Sequence, residues 1–246
     1  MPRSLTAISI LKLSLVCGIF FLWISPAQAK EKISYQQVKY SVGDIVLKGH
    51  LCKPSGEGPF PAVIYNHGGF GGKLPAPGPK ENCEALVEEG FVGFSPLRRE
   101  TIDMEEHMED VLAAVDFVLN LKYVDKDRMG IMGFSRGGHL AFRVAAQRPI
   151  FKAVIVMASA PGRGNLQKYL DQAQWITAPV LLMVAKNDTK PNDHVLLSQQ
   201  LKESLEYYGK DVQLIIYPPF EESGHLMFSH IDLYWQDVKA FLREKL

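Results

Sequence analysis

A single serine surrounded by glycines is the strongest chemical signal in the chain. The segment MGIMGFSRGGHLAF, residues 129–142, carries Ser135 with glycines at positions 133, 137 and 138. An apolar run that predicts a strand precedes Ser135, and a pattern that predicts a helix follows it. Glycine next to such an abrupt turn avoids a collision with the strand and the helix. The pattern Gly-x-Ser-x-Gly in this context indicates a nucleophilic hydroxyl; the alternative is a serine that only caps the helix.

A serine hydroxyl is a strong nucleophile only when a base accepts its proton and a carboxylate orients that base. Asp188 ends a predicted strand, and His225 lies in the loop after the following strand. Both residues therefore follow strands, as Ser135 does, in the chain order serine, acid, histidine. We predict that Ser135, Asp188 and His225 form a catalytic triad. Asp193 is the alternative acid, although we expect it to cap the helix that begins near His194.

An acyl-transfer reaction also needs donors for the oxyanion that forms on the substrate carbonyl. We expect one donor to be the backbone N–H of Arg136, directly after the nucleophile. The second should come from the glycine-containing loop after the strand AVIYN, with Gly69 or Phe70 as the donor. His67 in that loop is expected to support it through bonds to the neighbouring backbone. We expect His139 to point along its helix, away from the hydroxyl.

The substrate pocket is harder to assign. Large apolar side chains near the predicted triad in sequence order are candidates for its lining, namely Phe70, Trp175 and Met227. Residues 161–179 lie outside the regular strand and helix alternation and are predicted to form a short lid or pocket wall. Arginines in the loops could bind an acidic substrate, although such residues more often form surface ion pairs; these are Arg98, Arg99 and Arg163.

The order of predicted elements fixes the fold class. Two segments near residues 33–54 alternate apolar and polar residues, as antiparallel strands with one exposed face do. Strands and helices then alternate to the end of the chain, which closes with an amphipathic helix predicted over residues 231–246. This order predicts a single α/β domain over residues 30–246, with a mostly parallel sheet, antiparallel N-terminal strands and helices on both faces.

Composition excludes several classes of function. The 27 basic residues balance 27 acidic ones, so a nucleic-acid partner chosen by charge is not expected. The spacing of cysteines and histidines shows no metal-binding motif, and no cofactor is predicted. A small-molecule ester is the expected partner, and the oligomeric state is left open.

The first 29 residues have the pattern of a secretory signal peptide. Arg3 and Lys12 precede an apolar stretch, and Ala27-Gln28-Ala29 forms a small-x-small cleavage site. The apolar stretch is shorter than the roughly 20 residues that a membrane-spanning helix needs. We therefore predict cleavage after Ala29, a secreted or periplasmic location, and membrane contact only through the export signal. Of the cysteines that remain, Cys52 and Cys83 could pair or stay as semi-buried thiols.

Four segments together resemble the α/β-hydrolase superfamily, and within it the dienelactone hydrolase-like branch and the catalytic domain of prolyl oligopeptidase-type peptidases. They are YNHGGFGG, the stretch DVLAAVDFVLN to GFSRGGHLA, AKNDTKPND and YPPFEESGHLMF. The resemblance implies the triad of Ser135, Asp188 and His225 and hydrolysis through an acyl-enzyme. Dienelactone hydrolases proper carry cysteine where this chain has Ser135, so their lactone substrate is not implied. The chain has no room for the propeller domain of the oligopeptidases, and Arg136 replaces their usual aromatic residue.

These observations favour a serine hydrolase that cleaves a small carboxylic ester. A peptidase or an acyltransferase with the same triad is the second hypothesis. A binding protein on a hydrolase scaffold is the third, although an intact set of triad residues argues against it.

Overall fold

Eight strands form one mixed sheet in the described part of the chain. The computed structural model describes residues 34–69, 78–160 and 166–246. The strands are β1 (Ser34–Val42), β2 (Ile45–Lys53), β3 (Phe60–Asn66), β4 (Val92–Leu97), β5 (Val124–Phe134), β6 (Phe151–Met157), β7 (Val180–Ala185) and β8 (Val212–Tyr217). Their spatial order is β1-β2-β4-β3-β5-β6-β7-β8. Only β1 with β2 and β2 with β4 pair antiparallel, and the other neighbours are parallel.

The burial of each strand follows its place in the sheet. β1 lies at an edge and has mostly exposed side chains, whereas all six residues of β7 are buried. The central parallel strands are apolar on both sides because helices cover both faces of the sheet. Alternate residues of one strand accordingly join different cores, for example Ile131 on one face and Met132 on the other. The single α/β sheet with antiparallel N-terminal strands confirms the predicted fold class.

Within the described ranges, six α-helices connect the strands and cover the sheet. They are α1 (Pro79–Glu88), α2 (Met104–Leu119), α3 (Arg136–Gln147), α4 (Leu166–Asp171), α5 (His194–Tyr207) and α6 (Trp235–Lys245). Buried apolar residues of α2, α3 and α5 pack in one core, and those of α6 pack with Leu86 of α1 in the other. The described residues also form short 3₁₀ turns, at Gln172–Trp175, Gly224–Ser229 and Ile231–Leu233. None of the helices within the described ranges has the length and apolar character needed to cross a bilayer.

One element boundary differs from the sequence prediction. The last helix begins at Trp235 and not at residue 231, because residues 231–233 form a 3₁₀ turn. In the segment 161–179, which was predicted to form a short lid or pocket wall, residues 166–175 form α4 and the 3₁₀ turn after it. The predicted signal peptide, residues 1–29, lies outside the described residues.

Cys52 and Cys83 are joined by a disulfide bond, which settles the alternative that the sequence left open. The bond ties the end of β2 to the middle of α1, and Val87 packs beside it. The two cysteines are fully buried and their Cα atoms lie 5.5 Å apart, within the normal range for a disulfide. The closed loop contains all of β3 and the segment that follows it.

Replacing both cysteines with serine should lower the free energy of unfolding by roughly 3–4 kcal/mol, because the unfolded chain regains the freedom of the closed loop. For a domain of this size, the midpoint of thermal unfolding should fall by about 6–15 °C. Scanning calorimetry with and without a thiol reductant checks this. Reductant should lower the midpoint of the wild type and leave that of the double variant unchanged; an equal response of both proteins would contradict the expectation.

Candidate active site

Ser135 lies in a strained turn between β5 and α3. Its backbone has φ 54° and ψ −119°, a conformation that costs a non-glycine residue about 1–3 kcal/mol. The backbone N–H of Ser135 donates to the carbonyl of Met157 at 2.8 Å, which anchors the turn to β6. Among the described residues, the Ser135 side chain makes no capping hydrogen bond to α3. This geometry disfavours the alternative of a simple helix cap.

The glycines around Ser135 leave room for other backbone segments. A Cβ atom on Gly133 would lie 2.2 Å from the carbonyl oxygen of Gly137, and one on Gly137 would lie 2.0 Å from that of Asn66. A Cβ on Gly138 would be 3.0 Å from the Gly133 carbonyl oxygen. Each of the first two distances is far shorter than atoms tolerate. The three glycines therefore allow α3 to start against the ends of β3 and β5.

Asp188 and His225 are joined by a hydrogen bond. The Nδ1 of His225 lies 2.8 Å from Oδ2 of Asp188, and the carboxylate is fully buried. An ionised carboxylate only accepts hydrogen bonds, so Nδ1 carries the proton and Nε2 is left as the basic atom. Phe134 packs against the His225 ring, with centroids 4.6 Å apart, and restricts its orientation. The pair has the arrangement in which a carboxylate orients a general base.

His194 is a neighbour of this pair that the sequence did not assign to the site. It begins α5, as expected, and its ring stacks on that of His225 with centroids 4.7 Å apart. Its Nδ1 lies 2.9 Å from the carbonyl of Ser159, and its Nε2 lies 3.9 Å from Oδ1 of Asp188. Burial lowers the pKa of His194, although the nearby Asp188 opposes that shift. Asp193, the alternative acid, caps α5 through the N–H of Leu196 and lies outside the hydrogen-bonded pair.

The loop after β3 carries the predicted second oxyanion donor, Gly69. Gly69 has φ +71°, a conformation that favours glycine. Gly68 lies against the Phe134 ring, where a Cβ would be 3.0 Å from Cδ1. Nδ1 of His67 donates to the Gly68 carbonyl at 2.7 Å, the backbone contact predicted for this residue. Phe70, the other predicted donor and a predicted pocket residue, lies outside the described residues.

The side chain of Arg136 is directed at the first turn of α2 and at the residues just before that helix. Its Nε donates to Nδ1 of His107 at 2.9 Å, and its Nη2 donates to the carbonyl of Ile102 at 2.6 Å. Burial lowers the pKa of His107 to about 4, so the ring is neutral at pH 7 and can accept this bond. The side chain is thus fixed at the start of α3, where the Arg136 backbone N–H is the predicted donor.

A cavity of about 360 Å³ lies beside Ser135 and His225. Its remaining lining is Ala160, Lys190, Pro191, Asn192, His194, Ser223 and Leu226. Leu226 lines the cavity where the sequence suggested Met227. Met227 is 3% exposed and lies in the core with Phe228, because residues 224–229 form a 3₁₀ turn that points neighbouring side chains in different directions.

Trp175 is placed away from Ser135. Its side chain is 62% exposed and lines a separate cavity with residues of α2 and α3. Arg99 forms ion pairs with Asp110 and with two glutamates of α2, as expected of a surface arginine. Arg98 differs from both expectations for it, because it is buried and bonded to backbone carbonyls. Arg163 lies outside the described residues.

One group of side chains has the composition of a metal site. The potential ligand atoms of Asp188, His194 and His225 lie within 4.8 Å of one another. The Asp188–His225 hydrogen bond already occupies the Nδ1 atom of His225. The arrangement therefore fits proton transfer better than metal coordination.

Adding a methyl group at position 137 tests the role of the glycines. Gly137→Ala should lower the free energy of unfolding by roughly 3 kcal/mol, because the new Cβ overlaps the Asn66 carbonyl. The matched control is Gly43→Ala, where φ is +55° and no atom lies within 4 Å. It should cost only about 1 kcal/mol of backbone strain. Equal losses in urea denaturation would contradict the packing argument.

Comparison with known proteins places the chain among hydrolases. The most specific finding is that the model of the dienelactone hydrolase family matches residues 96–230. One relative is a protein of Aquifex aeolicus that is provisionally named a carboxymethylenebutenolidase. It is 28% identical over 200 residues, covering 74% of this chain and 83% of the relative. The bis(hydroxyethyl) terephthalate hydrolase of Streptomyces coelicolor is 27% identical over 180 residues, covering 67% of this chain and 55% of the relative.

Solved structures show the same fold. The acylaminoacyl peptidase of Pyrococcus horikoshii superposes with a TM-score of 0.73 at 20% identity, over 88% of this chain. The chain spans 42% of the length of that peptidase, so the likeness concerns one part of a larger protein. The predicted resemblance to this branch of the α/β-hydrolases is confirmed. The matched family model covers more than half of the sequence, and the chain belongs to the dienelactone hydrolase family.

Proposed function

We propose that the protein is a serine hydrolase that cleaves small carboxylic esters through an acyl-enzyme. The observation that carries the proposal is the arrangement around one cavity. A serine in a strained strand-to-helix turn and a histidine bonded to a buried carboxylate line the same space. Membership of a hydrolase family supports the same reaction type.

The proposed reaction has two half-reactions. Oγ of Ser135 attacks the ester carbonyl carbon while Nε2 of His225 takes the hydroxyl proton. Asp188 keeps the imidazole oriented and stabilises its positive charge. The backbone N–H groups of Arg136 and Gly69 stabilise the oxyanion. The proton then passes from His225 to the leaving alcohol, and water releases the acid from Ser135 in the reverse sequence of steps.

An ester is preferred to a peptide for two reasons. One relative in the same sequence comparison is named for hydrolysis of bis(hydroxyethyl) terephthalate. The cavity of about 360 Å³ has the size of a small-molecule site.

We also propose that the protein acts outside the cytoplasm, after cleavage behind Ala29. The Cys52–Cys83 disulfide supports this location, because such bonds persist mainly in oxidising compartments. Mass spectrometry of the protein exported by a bacterial host should show a mature chain that begins at Lys30. An exported chain that retains Met1 would contradict the proposed cleavage.

Removing the nucleophile gives the sharpest test of the reaction. Ser135→Ala should lower kcat on short p-nitrophenyl esters on the order of 10⁴-fold or more, because the acyl-enzyme cannot form. A fluorophosphonate should add to Ser135 of the wild type in intact-mass spectra and leave the variant unmodified. Ser41→Ala, an exposed serine on β1, is the matched control and should retain full activity and labelling.

The effects of substituting Ser135 and His225 on the rate should not add. The double variant Ser135→Ala/His225→Ala should be no slower than Ser135→Ala alone, because each loss disables the same step. Comparison of matched ester, amide and alcohol-acceptor substrates separates an esterase from a peptidase or an acyltransferase. A folded wild-type protein that neither hydrolyses esters nor reacts with the fluorophosphonate would refute the proposal.

A further inference from the structure

Arg98 is a cationic side chain that is almost completely buried. It follows β4 directly, and its exposed fraction is 4%. Among the described residues, no carboxylate forms an ion pair with it, whereas the adjacent Arg99 pairs with Asp110. Burial lowers the pKa of Arg98 to about 9, and the charge of Arg136 adds to this shift. The guanidinium is therefore still charged at pH 7, and its burial is a cost that other contacts must offset.

The guanidinium bonds to the loop after β3. Its Nη1 donates to the carbonyl of His67 at 2.9 Å, and its Nη2 donates to the carbonyl of Gly69 at 2.9 Å. A planar fork can reach two carbonyls at fixed positions, which the single ammonium group of lysine cannot do as well. Hydrogen bonds from a charged donor are shorter and stronger than those between neutral groups. Arg98 thus spans the segment that carries the proposed second oxyanion donor.

The His67 side chain bonds to Gly68, whose carbonyl lies between the two carbonyls that Arg98 holds. Its Nδ1 lies 2.7 Å from the Gly68 carbonyl, a contact that requires a proton on Nδ1. Burial lowers the pKa of His67 to about 3, with a further contribution from Arg98, so the ring is neutral at pH 7. The approach of Arg98 Nη2 to Nδ1 at 3.3 Å is then a close contact between two donors. Three consecutive carbonyls, of residues 67, 68 and 69, each accept a hydrogen bond from a buried side chain.

Peptide geometry links these carbonyls to the amides. In a trans peptide the N–H points opposite to the carbonyl of the preceding residue. Holding the carbonyls of His67 and Gly68 therefore also fixes the directions of the Gly68 and Gly69 amides. A hydrogen bond to the carbonyl also polarises its peptide group, which makes the N–H a better donor.

We propose that Arg98 is a positioning residue for ester hydrolysis, holding and polarising the loop after β3 so that its amides stabilise the oxyanion. This proposal rests on the function proposed above. The guanidinium acts through the backbone, since Arg98 is only 4% exposed and both of its Nη atoms are bonded to carbonyls of the loop. Its effect should appear in the transition state, where negative charge develops on the carbonyl oxygen, and much less in substrate binding.

Substitution of Arg98 separates these effects. Arg98→Met should lower kcat about 100-fold, as loss of oxyanion stabilisation does, with KM within about threefold of the wild type. The rate of fluorophosphonate addition to Ser135 should fall in parallel, because its phosphoryl oxygen needs the same amides. Arg98→Lys keeps the charge and should recover part of the rate. Methylguanidinium at millimolar concentration should raise the activity of Arg98→Ala.

Arg99→Met is the matched control, because it removes a neighbouring arginine whose side-chain partners within the described ranges all belong to α2. It should lose stability while its kcat stays within about twofold of the wild type. If Arg98→Met does not fold, Arg98→Lys and the rescue of Arg98→Ala carry the test. An active wild type with an unchanged kcat in the folded Arg98 variants overturns this inference alone. A change confined to KM also overturns it. A wild type inactive on every ester overturns the proposed function together with it.

Discussion

Backbone packs directly on backbone where β3, β5 and α3 meet, and the remainder of the candidate site depends on this contact. The absent side chains of Gly133 and Gly137 are what permit the approach, since a Cβ on either would lie within 2.2 Å of a carbonyl oxygen. Once α3 starts at this distance, Ser135 has few conformations open to it and takes φ 54°. The strain at the serine is maintained by rigid neighbours on three sides, among them Met157 of β6.

The other parts of the site are arranged around that contact by the parallel sheet. Parallel strands bring their carboxyl ends to one edge, so residues distant in sequence meet above it. Asp188 follows β7, and His225 follows β8. The loop after β3 lies on the same edge, with Arg98 contributed by the end of the adjacent β4. The site therefore consists of loop residues held at one edge of a rigid sheet, which suits a reaction that depends on fixed donors.

Much of this arrangement could be predicted from the sequence. The alternation of apolar runs with helical patterns gave the fold class, and glycine spacing gave the position of Ser135. Asp188 and His225 were identified because each follows a strand, and the structure brings them together. Such patterns can be recognised in a single sequence, because they reflect the periodicity of strands and helices and the steric limits of the local backbone.

The rest depends on three-dimensional distances that the sequence does not encode locally. Arg98 and Arg99 are adjacent and chemically identical. Arg98 is nevertheless buried and bonds to backbone carbonyls, whereas Arg99 forms an ion pair with Asp110 of α2. Leu226 lines the cavity in place of Met227, because residues 224–229 form a 3₁₀ turn. Pairing of the two cysteines required β2 and α1 to be neighbours, a contact across 31 residues. Each of these outcomes is decided by which elements pack together.

The covalent ring closed by Cys52 and Cys83 changes how the protein responds to proteolysis. All of β3 and the loop that carries Gly69 lie within the ring. A single backbone cleavage anywhere between residues 53 and 82 would divide the chain into two polypeptides, but neither could diffuse away. The sheet hydrogen bonds and the disulfide would hold the severed ends in place, so a nicked molecule could keep its shape where a protein without the ring would fall apart.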